Sequence, residues 1–194
     1  MADGSARVSA FSRLAVADAP ADATVTVAEC RERALLVVAG RAAAVGAALG
    51  VEPPRASGTS VATAHGTLLW TGPREWLHVV PGGDGWALER ELARALAPHA
   101  GVTDVSHGRA IVRVTGAPTR LLLAKFCPID LSPQAFPAGH CAQTLFGKIN
   151  VLLHALADGP AIDVYIGRSY ADAFADALLA GAHEFGVIVG SPIA

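Results

Sequence analysis

Asp104, Ser106 and His107 fall within four residues of one another and carry the three side-chain types of a hydrolase triad. Triad partners normally meet through the fold, and no strand-to-helix nucleophile elbow surrounds Ser106. The segment therefore reads as a turn held by Asx and Ser hydrogen bonds, with His107 and Arg109 left as candidate contacts to a partner chain. Cys127, His140 and Cys141 offer three metal-type donors, but no second pair at ligand spacing completes a site. They read as buried thiols and a strand-edge histidine. Pro81-Gly82-Gly83-Asp84-Gly85-Trp86 is glycine-rich and opens a helix, the setting of an anion site. It has neither the P-loop lysine nor the Rossmann spacing, so a tight turn followed by a helix cap accounts for it.

Two further groups are candidates for a protein interface. Trp70 and Trp76 flank the turn dipeptide Gly72–Pro73. Aromatic residues bury large areas and often anchor protein contacts; packing at the end of a hairpin is the alternative. Arg74 belongs to the same turn and, with Glu75, reads as a solvated or capping pair. Arg168, Ser169 and Tyr170 stand at the entry to the last helix, and Arg168 and Tyr170 join the interface candidates.

The elements that must position these residues follow from hydrophobic periodicity. Residues 1–30 read as an N-terminal arm with one strand at Ala23–Val27. Ala34–Gly40 has the length of a buried strand, and the Ala-rich helix Arg41–Leu49 is expected to end at Pro53–Pro54. After a linker over Glu52–Ser60, two extended runs, Val61–Thr71 and Arg74–Val80, lie either side of the Gly72–Pro73 turn. Asp84 or Gly85 can cap a helix that places Leu88, Leu92, Ala95 and Leu96 on one face, and Pro98 stops it.

The plan then restarts. Ala110–Thr115 is a strand, Pro118 introduces a helix over Thr119–Phe126, and a proline-rich loop occupies Cys127–Gly139. Strands are expected at His140–Phe146, Asn150–Leu156 and Ala161–Ile166. The last helix carries an apolar stripe of Phe174, Ala177, Leu178, Gly181, Ala182 and Phe185, with Ser169 and Asp172 as a weak capping box. Each half reads roughly β-α-β-β-α, close to the split βαβ, ferredoxin-like plan. The expected class is α+β: one domain over 31–194 made of two half-repeats, about 31–100 and 101–186.

Bulk properties exclude several functions. The 194 residues bear a net charge of −2, which leaves no basic field for a phosphate backbone, so nucleic acid is not an expected partner. No uninterrupted apolar run reaches membrane-spanning length, and the first residues lack a secretory h-region. Three cysteines without CxxC spacing suit a reducing cytoplasm. Charged residues are only 16% of the chain, so apolar surface covered by a partner is expected.

Three segments bear a resemblance. LLWTGPREWLHVVPG (Leu68–Gly82), the stretch Val102–Gly139 with its DVSHG and CPIDLSPQAFPAG, and VYIGRSYADAFADAL (Val164–Leu178) resemble, in order and spacing, the gamma subunits of heterotetrameric sarcosine oxidases. The resemblance implies a fold similar to the folate-binding aminomethyltransferases. It also implies membership of a four-chain, flavin-dependent oxidoreductase that oxidises sarcosine to glycine and passes the one-carbon unit to tetrahydrofolate. On that reading FAD, FMN, NAD and tetrahydrofolate sit on other subunits, and the partners are the alpha, beta and delta chains. This chain would then serve assembly and stability, without a catalytic, cofactor or metal residue of its own.

Two motif comparisons accord with that implication. Where catalytic aminomethyltransferases carry a G-G-V-I-D-D stretch, this sequence has Gly147-Lys148-Ile149-Asn150-Val151-Leu152, and Val or Leu cannot transfer a proton. Where related iron–sulfur maintenance proteins carry KGCYxGQ, it has Lys125-Phe126-Cys127-Pro128-Ile129 and lacks the GQ. The alternatives are a free-standing folate-binding protein with a pterin in a cleft between the halves, and a regulatory ferredoxin-like module for another small ligand.

Overall fold

The computed structural model describes residues 9–11, 14 and 23–194; most of the expected N-terminal arm therefore lies outside the described residues. Apolar runs with period-two alternation form two sheets. The first contains β2 (Arg33–Gly40), β3 (Ser60–Thr63), β4 (Gly66–Gly72), β5 (Glu75–Pro81) and β6 (Ala100–Asp104), in the order β3-β4-β5-β2-β6. The second contains β1 (Val25–Glu29), β7 (Arg109–Thr115), β8 (Cys141–Phe146), β9 (Ile149–Ala155), β10 (Ala161–Gly167) and β11 (Val187–Val189), in the order β11-β1-β7-β10-β9-β8. Helices α1 (Ala42–Leu49) and α2 (Gly85–Leu96) belong to the first half, α3 (Thr119–Ala124) and α4 (Ala171–Ala182) to the second.

Alternation along the strands decides the layers. Leu36, Val38, Leu68 and Trp76 face Val45 of α1 with Leu92 and Leu96 of α2. Leu35, Leu69, Leu77 and Val79 face the other way, onto Ile111, Leu152 and Tyr165 of the second sheet. Val112, Val114, Leu153 and Val164 then cover Leu122 and Leu123 of α3 with Phe174 and Leu178 of α4. The result is an α+β molecule of four layers, helices–sheet–sheet–helices, with three apolar seams.

Strand order shows the symmetry and where it breaks. β4-β5-β2-β6 is the split βαβ order, and β9-β10-β7 repeats its first three places. Where β6 pairs directly with β2 in the first sheet, β1 lies antiparallel to β7 in the second, and β11 is displaced to pair parallel with β1. The N-terminal strand is thus an interior strand. Phe11 is buried and Ser9 Oγ donates to Glu29 Oε2 at 2.8 Å, so the described residues before β1 lie against its end.

Several expected elements are corrected. The run Val61–Thr71 is a hairpin, because Ala64–His65 turns the chain and Thr63 pairs with Gly66. A side chain at Gly66 would sit 2.0 Å from the Val79 carbonyl oxygen, so only glycine fits there. α1 ends at Gly50 in a left-handed conformation (φ 68°), before the prolines are reached. Arg168–Tyr170 form a 3-10 turn leading into α4, whose N-cap is Tyr170 with no side-chain cap bond, so Ser169 does not stand at the cap position the expected box requires. β6 and β11, each closing one half, were not expected: GVTD and VIV are too short and too glycine-flanked to stand out.

Candidate functional site

Four of the nominated interface residues, His107, Arg109, Arg168 and Tyr170, gather where β7 begins and β10 ends. Arg109 begins β7 and pairs across to Gly167 of β10, just before Arg168. The Arg168 backbone N–H donates to the Gly108 carbonyl at 3.0 Å, which ties the entry of the last helix to the His107 turn. His107, Arg109 and Arg168 therefore line one small depression, together with Arg31 and Ser106. Tyr170, 56% exposed, lies beside them on the 3-10 turn.

The turn itself is built as its residue types require. The Asp104 carboxylate accepts from the Ser106 backbone N–H at 2.8 Å and from the Ser106 hydroxyl. Ser106 Oγ in turn accepts from the Leu35 N–H at 2.8 Å. Both hydroxyl partners are spent inside the fold and Ser106 is buried, so the Asp-Ser-His letters form an Asx turn that fastens β6 to β2.

The aromatic group is divided by burial. Trp76 is 2% exposed and its indole N–H donates to the Pro54 carbonyl at 2.7 Å, which makes it a core residue of the first half. Its cross-strand partner Trp70 stays half-buried and, with Arg74 and Pro73, lines a shallow surface hollow of about 280 Å³. Arg74 takes a left-handed conformation (φ 62°) and its Nε donates to the Gly40 carbonyl at 3.2 Å. Glu75 does not pair with Arg74; its Oε1 accepts from the Thr71 hydroxyl at 3.1 Å.

Between these groups lies a cavity of about 180 Å³, walled by Thr71, Glu75 and Leu77 of the first sheet and Arg109, Gln143, Asn150 and Leu152 of the second. Burial lowers the Arg109 pKa, and the field of Glu75 opposes that shift. The segment Gly147–Leu152 also lands here: Gly147 turns the β8–β9 hairpin, Asn150 faces the cavity and Leu152 is buried in its wall.

Deeper between the sheets, one cross-strand row places Arg113, Asp163 and His154 side by side. Arg113 is bidentate to Asp163, Nε to Oδ1 at 2.7 Å and a terminal nitrogen to Oδ2 at 2.9 Å. That pairing holds the Arg113 guanidinium charged against its burial. Desolvation lowers the pKa of the buried His154. Sequence reasoning passed over this row, although a signal existed: AIVRVT, AIDVYI and NVLLHAL place Arg113, Asp163 and His154 at inward positions of largely apolar strands.

The remaining nominated groups are inert in their surroundings. Cys30, Cys127 and Cys141 are free and buried, and desolvation raises each thiol to about 11, so all three are protonated at neutral pH. Asp84 caps α2, accepting from the Trp86 and Ala87 N–H groups at 3.0 and 3.2 Å. A side chain on Gly85 would meet the Asp104 carboxylate, so the glycine-rich turn serves close packing. Among the described residues no three His, Cys, Asp or Glu side chains group as metal ligands, and no helix is long and apolar enough to cross a membrane.

The chain is similar to proteins of known kind. The sarcosine oxidase gamma subunit of an Arthrobacter species is 41% identical over 113 residues, 57% of this chain and 55% of that one. Its counterpart from Corynebacterium strain P-1 is 37% identical over 116 residues, 59% of this chain and 56% of that one. The match thus spans about half the length of these curated relatives. Among solved structures, a chain of the heterotetrameric sarcosine oxidase from Corynebacterium sp. U-96 superposes with a TM-score of 0.78 at 27% identity, covering 91% of both chains. The aminomethyltransferase T of the Bartonella henselae glycine cleavage system superposes at 0.68 and 15% identity, over 88% of this chain and 48% of that one, and shares the fold. The sequence model of the sarcosine oxidase, gamma subunit family matches residues 36–183, well over half of the chain, and the chain therefore belongs to that family.

Proposed function

We propose that this chain is the gamma subunit of a heterotetrameric sarcosine oxidase and that it contributes assembly and stability to the enzyme. The alpha, beta and delta chains are its partners on this reading. FAD, FMN, NAD and tetrahydrofolate are held by those chains, and the oxidation of sarcosine takes place there, in the cytoplasm. The observation that carries the proposal is the end-to-end likeness to one chain of a solved heterotetrameric enzyme, at an identity above the level where only fold is shared. Exposed Trp86, Leu121, Leu145 and Tyr170 supply apolar surface of the kind a partner covers. The accessible part of the nominated surface, Arg74, His107, Arg168 and Tyr170 exposed with Trp70 and Arg109 half-buried, belongs to the same reading.

A free-standing folate binder with its pterin between the halves fits the cleft there less well; the larger groove of about 780 Å³ lies within the first half, beside α1 and α2. About 180 Å³ between the sheets falls below the roughly 300–1,000 Å³ that drug-sized ligands occupy, and a pterin with its tail needs that larger space. The test is co-purification of the tagged chain from its native extract, followed by a visible absorbance spectrum. Larger chains arriving with a flavin spectrum support the subunit reading. A colourless chain that elutes alone argues against it, and saturable tetrahydrofolate binding by that chain would favour the alternative.

A further inference from the structure

The groove beside α1 and α2 carries an inference that rests on the subunit reading and adds to it a surface and the chemistry of its partner. α1 has eight residues against twelve in α2, and the groove opens where α1 stops, at Ala47–Gly50. Ala87 and Leu88 of α2 stand on the other side, over His78 and Val80 of β5. His78 lies in a cross-strand row between Leu36 and Leu68, both fully buried. Its Nε2 is 3.1 Å from the Thr63 hydroxyl, while Nδ1 has no hydrogen-bond partner among the described residues. A buried polar atom of this kind calls for a partner.

The charge of the groove has one sign. Asp84 and Glu91 line it, and no lysine or arginine does. Asp84 is spent on capping α2, whereas the exposed Glu91 has no hydrogen bond or ion pair among the described residues. The last turn of α1 holds no basic residue, so the carbonyl end of that helix adds to the negative field. Arg90 of α2 is engaged elsewhere, its guanidinium 4.6 Å from the centre of the Trp86 ring.

We infer that this groove docks a segment of a partner chain of the oxidase, apolar in character and carrying at least one lysine or arginine over Glu91. Charge complementarity selects this occupant. An acidic segment is repelled by Glu91 and by the end of α1. A second copy of this chain in a two-fold contact would set the same patch against itself, Glu91 facing Glu91. Ala47 and Ala87 are small and exposed on opposite sides, so side chains from outside can enter between the helices. A segment seated there also brings polar groups to the floor, where His78 lacks one.

The test is co-expression of the tagged chain with the alpha, beta and delta chains, reading the flavin recovered per tagged chain after size exclusion. Glu91→Arg should lower that recovery about tenfold or more, because it sets like charges together. Ala87→Trp, which fills the groove from an exposed position, should do the same. Asp158→Arg, an equal charge reversal on the exposed β9–β10 turn, should leave recovery unchanged. Amide exchange over residues 87–91 should slow when the unaltered chain is assembled. If the unaltered chain recovers no flavin-bearing partner, the subunit reading falls and the docking surface with it. Assembly that proceeds normally with both groove variants overturns the docking surface alone. So does an equal loss with Asp158→Arg, which would trace the effect to net charge, or a dimer of the isolated chain that Glu91→Arg disrupts. Should Ala87→Trp fail to fold, Glu91→Arg and the exchange measurement decide.

Discussion

His78 shows how one residue ties this fold to pH. It lies on β5, 4% exposed, with Nε2 3.1 Å from the Thr63 hydroxyl and Nδ1 without a hydrogen-bond partner among the described residues. Desolvation, aided by the field of His65, lowers its pKa from 6.5 to about 4. The unfolded chain therefore binds the extra proton first. Stability from the neutral ring is complete above pH 6.5 and is lost as pH falls toward 4. The shift corresponds to on the order of 3 kcal/mol. Urea unfolding midpoints measured between pH 7.5 and 4.5 should drop accordingly, and His78→Gln should flatten that part of the profile; an unchanged slope in the variant would assign the loss to other groups, His154 first. The Arg113–Asp163 pair makes a second residue-scale test. Asp163 is buried, so Arg113→Met strands a carboxylate between the sheets and should cost about 3–5 kcal/mol in urea unfolding. The double variant Arg113→Met, Asp163→Leu should recover most of that, because two apolar side chains leave no charge unpaired.

At the scale of elements, α2 is where local chemistry and packing meet. Asp84→Ala removes the cap and should destabilise by about 1 kcal/mol. Gly85→Ala should cost more, about 1–3 kcal/mol, since its methyl would press on the Asp104 carboxylate that holds Ser106 and the His107 turn. Thermal melts of the two variants test that order directly. The same helix shows what was legible in the sequence: an acid before an apolar stripe of period 3.6 is a local signal, and α2, β2, β7 and β10 are all local in this sense. What the sequence hid depends on distant neighbours. The hairpin at Ala64–His65 turns on Gly66 meeting the Val79 carbonyl, a contact no window of sequence displays. α4 starts after a 3-10 turn because Arg168 is held by Gly108, sixty residues earlier, rather than by its own Ser169. The site was legible in part for the same reason. His107, Arg109 and Arg168 were nominated from local surroundings, whereas Glu75 and Asn150 join Arg109 alone, and only once two sheets face each other.

For the whole molecule, β1 is the element on which the two halves differ. In the first sheet the strand after the second helix returns beside its own β2; in the second, β1 takes that place and β11 pairs with β1 instead. The chain's two ends are thereby joined: Thr24 N–H donates to the Phe185 carbonyl at 3.0 Å, Arg31 N–H to Ile193 at 2.7 Å, and Ile193 N–H returns to Glu29 at 2.8 Å. Val25 and Val27 are fully buried in the seam with α3 and α4. Removing residues 1–29 would uncover one edge of β7 and leave β11 without its partner strand. An unpaired apolar edge is a template for association. The truncated chain should lose much of its strand signal in far-UV circular dichroism and elute from size exclusion as oligomers or aggregates. If β11 could instead slide onto β7 and restore the order of the first sheet, the truncated chain would stay monomeric and melt cooperatively. β11 has three residues and pairs parallel with β1, which is itself antiparallel to β7, so its direction already suits that place. Its length does not: β1 meets β7 over four register positions and contributes two valines to the seam, whereas β11 offers three half-buried residues held by a loop fitted to the outer position. Aggregation is therefore the expected outcome, and a synthetic peptide spanning residues 23–31 supplied in trans should restore the monomer.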